Sequence, residues 1–230
     1  MANLRIPVIA LDGPSGAGKG TIARQVAEAL GWHLLDSGAL YRVVGLAAQE
    51  LGLEPSSADC VAEMARTLDI QMLSDPSGEE RILLDGRDVN GSIRTEEGGR
   101  LASAVAQVPA VREALLDVQR DFRKAPGLVA DGRDMGTHVF PDADLKVFLT
   151  ASPEERAKRR HKQLKDKGID VSLSALSRDI AARDRRDSER AVAPLRPAAD
   201  AELLDSSQQS IEQVTQQVLD WVSERVGEQE

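Results

Sequence analysis

The sequence predicts an α/β fold in which parallel strands alternate with helices, and three observations carry that prediction. A short apolar run at 6–12 meets a glycine-rich stretch at 13–21, GPSGAGKGT, after which Ile22, Val26, Ala29 and Leu30 fall at helical spacing. Apolar runs at 128–131 and 145–149 have the near-continuous character of strands buried on both faces. Helical segments with readable ends lie between and after them, the pattern of a sheet covered by helices.

Taken in order, 32–36 reads as a second strand that closes a βαβ unit, and 39–51 as a helix ending near Gly52. A fifth candidate strand is 201–205. Ser152-Pro-Glu-Glu155 is a capping box with proline at the first helical position. Ser210-Ile-Glu-Gln213 opens a final helix whose Ile211, Val214, Val218, Trp221 and Val222 share a face. Residues 68–94 differ: the pieces DIQML, RILL and RDV are strand-like and are separated by the turn signals DPSG, DG and NG. They are expected to form a small antiparallel insert. With no internal repeat or low-complexity linker, 1–230 is expected to be one domain with a single core and excursions.

Composition narrows the function. Hydrophobic residues make up 41% and charged residues 29% of the 230, the balance of a soluble globular protein. No apolar run approaches the roughly 20 residues that cross a bilayer, and the N-terminus lacks the apolar core of a signal peptide, so a cytoplasmic protein without membrane contact is expected. The single cysteine, Cys60, stands among Val61, Met64 and Leu68 and is expected to be a small buried apolar side chain; cysteine-based zinc and disulfide chemistry are excluded. A net charge of −9 argues against nucleic-acid binding, because duplex affinity comes largely from neutralised phosphates. Arginines nevertheless crowd between 156 and 190, a cluster suited to a small polyanion.

The stretch Gly13, Pro14, Ser15, Gly16, Ala17, Gly18, Lys19, Gly20, Thr21 has the pieces of a phosphate loop. Glycines let successive N–H groups point inward, the helix N-terminus adds its positive end, and Lys19 supplies a mobile charge for β and γ phosphates. The usual pattern places a metal-binding hydroxyl directly after the lysine, whereas Gly20 stands there and the hydroxyl comes at Thr21. Direct protein ligation of Mg²⁺ is therefore not expected; phosphates and water would hold it, helped by a carboxylate such as Asp36 or Asp131. A guanine-reading Asn-Lys-x-Asp is missing, which disfavours a GTPase.

Three charged clusters supply the acceptor side. Asp36-Ser-Gly-Ala-Leu-Tyr-Arg42 follows the second strand, placing Arg42 one turn into a helix where it can meet an acceptor phosphate. Asp131-Gly-Arg-Asp134 follows an apolar strand and concentrates charge that is costly to desolvate without a ligand. Arg183 and Asp187 stand at i and i+4 with Arg190 three further on, as phosphoryl transfer requires of arginines that arrive while a mobile segment closes. On these residues alone, kinases for other small acceptors and a nucleotide-dependent switch remain open.

GPSGAGKGT at 13–21, LLDSGALYR at 34–42, LVADGRDMGTHVFPDA at 128–143 and RDRRDSERAVAPLRPAADA at 183–201 together resemble the bacterial cytidylate kinases over almost the whole chain. The resemblance implies a P-loop kinase fold with a central parallel five-stranded sheet flanked by helices, a small antiparallel β-rich acceptor-binding insert at 68–94 and a short lid at 156–170. It implies transfer of the γ-phosphoryl of MgATP to CMP or dCMP by a monomer, with ATP on 13–21. Ser37, Arg42 and Arg133, with Asp36 nearby, would face the acceptor phosphate and sugar. Arg183, Asp187 and Arg190 would surround the ribose and transferring phosphate with the lid arginines Arg159 and Arg160, so that Lys19, Arg133, Arg183, Asp187 and Arg190 form the catalytic group. Ser103, Arg112 and Asp134 would read cytosine. Ser103 is placed by counting back from Arg112, and glycines 98 and 99 precede it in an expected helix. No general base is required, because the acceptor is already an anionic oxygen.

Overall fold

The computed structural model describes residues 5–54, 57–74, 80–166 and 168–226. The sequence-predicted DPSG turn at 75–78 lies outside the described residues, as do the first four residues and Lys167 of the expected lid. The described chain forms two compact units, one of residues up to Leu35 together with those from Arg120 onward, the other Asp36–Gln119.

The first unit is built on a five-stranded, all-parallel sheet, as the sequence predicts. Its strands are β1 (Val8–Asp12), β2 (His33–Asp36), β6 (Leu128–Asp131), β7 (Leu145–Thr150) and β8 (Glu202–Asp205), in the order β2-β6-β1-β7-β8. In between, β3 (Ile70–Ser74), β4 (Glu80–Leu84) and β5 (Arg87–Asp88) belong to the second unit. The central strand β1 pairs Ile9 with Val129 of β6 and with Leu145 of β7, and every residue of β1 is buried. That double burial is why the run reads apolar without alternation. Helices α1 (Lys19–Leu30) and α9 (Ile211–Val226) contribute Ile22, Val26, Val214, Val218 and Val222 to one apolar cluster with the sheet.

Both helices begin where the sequence placed them, but the first start is only half of the expected capping box, since Ser152 N donates to Ser207 Oγ and not back to Glu155. Ser152 Oγ accepts from the N–H of Glu155 at the head of α7 (Pro153–Asp166). At α9, Ser210 Oγ accepts from Gln213 N while Gln213 Oε1 accepts from Ser210 N, a reciprocal cap. Within the predicted face of α9, Val214, Val218 and Val222 are buried, whereas Ile211 in the first turn is exposed.

The second unit contains α2 (Ser37–Glu50), α3 (Ala58–Thr67), the antiparallel β3-β4-β5 sheet, α4 (Asn90–Ile93), α5 (Glu96–Val105) and α6 (Pro109–Arg120, to Gln119 in this unit). It has its own apolar cluster, drawn from α2, α3, α5, α6 and the small sheet. The compact unit thus extends beyond the strand-rich stretch in both directions. Asp85-Gly86 makes the β4-β5 hairpin turn, with φ of 50° and 76°. Asn90-Gly91, read from the sequence as another turn, instead opens α4; Asp88 Oδ1 accepts from Asn90 N and holds that first turn.

Cys60 also departs from expectation: it is exposed. The buried stripe of α3 is Val61, Ala62, Met64 and Ala65, and position 60 lies just off its edge. The apolar neighbours were real but belonged to the adjoining face.

Glycines 98 and 99 lie inside α5 and both are buried. A Cβ at 98 would come within 2.9 Å of the carbonyl carbon of Ile93 and closer still to its oxygen, and one at Gly45 on α2 would lie 2.8 Å from Leu101 Cβ. Helix propensity favours alanine over glycine by about 1 kcal/mol, but overpacking against an immovable carbonyl costs about 1–3 kcal/mol. Packing decides the sign. Gly98→Ala is expected to lower stability by up to about 2 kcal/mol in urea unfolding; a stabilised variant would contradict this account of Gly98.

Candidate active site

The glycine-rich loop connects β1 to α1, the strand-loop-helix context that a phosphate loop needs. Gly13, Gly16 and Gly18 take φ of 146°, 81° and 99°, and a Cβ at 13 would collide with the carbonyl oxygen of Leu149 on β7. The loop can therefore lie flat across the sheet edge only without side chains there. Gly18 O accepts from Thr21 N and Ile22 N, which starts the helix with its N–H groups turned toward the loop. From outside, Arg156 Nη1 donates to Ser15 O at 3.0 Å and Arg159 Nη1 to Ala17 O at 3.3 Å. Outward carbonyls leave the intervening amides free to face an anion.

Lys19 is 5% exposed, donates to Pro14 O at 3.0 Å and lies 4.0 Å from Asp131. Burial first, then the neighbouring Arg133, holds its ammonium well below the usual value, against the pull of Asp131 and Asp12. Asp12, at the end of β1, accepts from Met135 N and Gly136 N at 2.8 Å each. Burial pushes its carboxyl up to about 7 despite those two bonds. Asp12 is a member that sequence reasoning missed; its only signal was an acid immediately before the loop.

Asp12 fixes the turn that follows β6. The sequence DGRDMGTHVF runs through Asp134 into a short π-helical turn, Met135–Val139, whose first carbonyl contacts are His138 N and Val139 N to Asp134 O. Arg133 Nε donates to Asp187 Oδ2 at 3.1 Å, and Asp134 is 3% exposed. On α8 (Leu173–Ser188), Arg183 lies 4.0 Å from the same Asp187 oxygen, and Arg190 Nε donates to Asp187 O at 3.2 Å. The structure thus brings Arg183, Asp187 and Arg190 together, as their spacing suggested, and adds Arg133 from the turn after β6, which no spacing linked to them. Arg133 and Arg183 both act on the Lys19 ammonium, so the cluster and the loop share one electrostatic environment.

The remaining expected residues fall in the second unit. Asp36 caps α2 by accepting from Ala39 N at 3.0 Å. Ser37 is buried and donates to Gln119 Oε1 at 2.8 Å, a partner the sequence did not suggest. Arg42 Nη1 donates to Ile93 O at 2.6 Å and to Thr95 O at 3.2 Å, tying α2 to the end of α4. Ser103 on α5 is 8% exposed, and its buried hydroxyl has no hydrogen-bond partner among the described residues. Arg112 on α6 is 4% exposed, with its guanidinium 5.6 Å from the centre of the Tyr41 ring. Of the two lid arginines, Arg159 is spent on the phosphate loop and on Ser206, while Arg160 donates to Gln163 Oε1 on its own helix.

A phosphate loop on a parallel sheet, with a buried lysine and arginines mounted on a carboxylate, defines a P-loop kinase. The sequence matches the family described as Cytidylate kinase over residues 9–224. It is 57% identical over 219 residues to a cytidylate kinase of Nitrosococcus oceani, covering 95% of this chain and 96% of that one. It is 60% identical over 213 residues to a cytidylate kinase of Pseudomonas entomophila, covering 92% and 93%. The chain belongs to the cytidylate kinase family. Among solved structures, an uncharacterized protein from Eubacterium ventriosum aligns over 95% of this chain and 99% of its own with a TM-score of 0.50 and 12% identity, a likeness of fold alone.

A polyphosphate against Lys19 would restore the ammonium, so binding should take up a proton at pH values above the lowered pKa and below 10.5. Calorimetry of ATP binding at about pH 8.5 in two buffers of different ionisation enthalpy should show uptake of close to one proton, lost in Lys19→Met. Uptake that persists in the variant would assign the proton elsewhere.

Proposed function

We propose that the protein transfers the γ-phosphoryl group of MgATP to CMP or dCMP, giving ADP and the nucleoside diphosphate. The observation that carries the acceptor is Ser103: a buried hydroxyl without a hydrogen-bond partner among the described residues costs about 1–3 kcal/mol unless a ligand pairs it. Cytosine offers an N4 amino donor together with N3 and O2 acceptors. Asp134 suits the amino group, and Ser103 and Arg112 suit the acceptors. Uracil carries a carbonyl where the amino group sits and would face Asp134 unfavourably.

The phosphate loop residues 13–21 hold the ATP phosphates through their amides, with Lys19 on β and γ. Arg133, Arg183 and Arg190 neutralise charge on the transferring oxygens, and Asp187 sets the directions of Arg133 and Arg183. Arg42, with Ser37 and Asp36, serves the acceptor phosphate and sugar. Arg159 supports the loop from behind, and Arg160 serves the closing segment. The acceptor is an anionic oxygen, so no side chain has to remove a proton. Positioning and charge do most of the work.

Mg²⁺ would add to that neutralisation, held by the phosphates, water and a nearby carboxylate. No group of three His, Cys, Asp or Glu among the described residues could hold a metal. A Cβ at Gly20 would lie 3.3 Å from Asp131 Oδ2, so a carboxylate stands beside the position from which the usual hydroxyl would project. One carboxylate with phosphates and water is an ordinary Mg²⁺ environment. Asp131 is the stronger candidate to hold its water shell, since Asp36 is engaged as a helix cap.

We further infer a cytoplasmic monomer that binds small nucleotides and not nucleic acid. No described helix is long and apolar enough to cross a membrane, and the net charge of −9 would repel a phosphate backbone.

The test is ADP formation from MgATP with CMP, dCMP, UMP, AMP and GMP in parallel, on wild type and Asp134→Ala. CMP and dCMP should dominate, and the variant should lose more of its CMP over UMP preference than of its best turnover. Equal wild-type rates with UMP would discard the role of Asp134. Turnover independent of any monophosphate would contradict the kinase reading.

A further inference from the structure

We propose that Asp184 is a positioning residue for phosphoryl transfer, tying the phosphate loop, through Arg156, to the helix that carries the arginine cluster. The inference rests on the kinase reading above and assigns to it a residue outside the nucleotide contacts.

Arg156 in the first turn of α7 is 3% exposed and uses its whole guanidinium. Nε donates to Ala151 O at 3.0 Å, Nη1 to Ser15 O and to Asp184 Oδ1 at 3.0 Å each, and Nη2 to Asp184 Oδ2 at 2.6 Å. One planar fork therefore holds the outer edge of the loop and both oxygens of an acid on α8. The seat is close: a Cβ at Gly16 would lie 3.2 Å from Arg156 Cβ and 3.5 Å from its carbonyl oxygen. Gly16 leaves room for this arginine as well as for the turn.

Asp184 is followed one turn later by Asp187, which carries Arg133 at 3.1 Å and Arg183 at 4.0 Å and accepts from Arg190 through its carbonyl. A helix transmits displacement as a rod, so a shift of Ser15 or Arg156 moves the cluster that faces the transferring group. Misplacement by about 1 Å can cost as much as a hundred-fold in rate. An exposed ion pair would offer little, but this one is bidentate and its arginine is buried. An uncharged partner at 184 still fills the space and cannot accept on both oxygens.

The test uses the full chain with Asp184→Asn, Arg156→Lys and their double variant, measuring kcat, both KM values and thermal unfolding. Asp184→Asn should lower kcat about ten-fold while changing the KM of ATP and of CMP by no more than about two-fold. Arg156→Lys keeps the charge but not the fork, and the double variant should fall little further than either single. A purely structural pair would show as a lowered unfolding midpoint with kcat intact well below it. Normal wild-type turnover with an unaffected Asp184→Asn, or additive single effects, would overturn this inference alone. Wild type without CMP-dependent turnover would overturn it together with the functional reading.

Discussion

The close approach of the glycine-rich loop to the neighbouring strand is the constraint on which the rest of this protein depends. Gly13 lies where any Cβ would strike Leu149 O, and two arginines of α7 take up the outward carbonyls of Ser15 and Ala17. With its outer edge satisfied by protein, the loop presents amides to the other side, and the start of α1 adds its positive end. Lys19 is then buried close to Arg133 and Asp131, and burial and the arginine together outweigh the carboxylates and disfavour its charged form. Such a site is unfavourable until an anion of high charge arrives, so selectivity for polyphosphate comes from the cost of the site without one.

Carboxylates in the same unit act as fixtures for this charge. Asp187 carries two arginines and, through its carbonyl, a third; Asp184 carries the arginine that grips the loop; Asp12 pins the backbone of the turn after β6. A long arginine side chain loses much of its freedom when aimed, and a buried acid makes that loss before substrate binds. The net charge of −9 is thus compatible with a strongly cationic locality.

Features set by neighbours in sequence were legible beforehand. The phosphate loop, the five parallel strands, the caps at Ser152 and Ser210 and the Arg183, Asp187, Arg190 spacing all follow from local pattern. Long-range pairs were not: nothing in the spacing links Arg156 to Asp184, Ser37 to Gln119, or Asp12 to Met135 and Gly136. Cys60 misled because apolar neighbours at helical spacing do not say which side of a stripe a small residue occupies. Asn90-Gly91 misled because the same dipeptide that turns a hairpin can start a helix once Asp88 caps it. Gly98 stood in an expected helix without a visible reason, and the reason lay in the backbone of Ile93.

The most direct test of the central claim is a crystal structure of the protein with a non-hydrolysable ATP analogue. The account predicts that Lys19 Nζ leaves Pro14 O for the β and γ phosphate oxygens while Arg156 keeps both Ser15 O and Asp184. A lysine still on Pro14 O, with the phosphates held elsewhere, would contradict it.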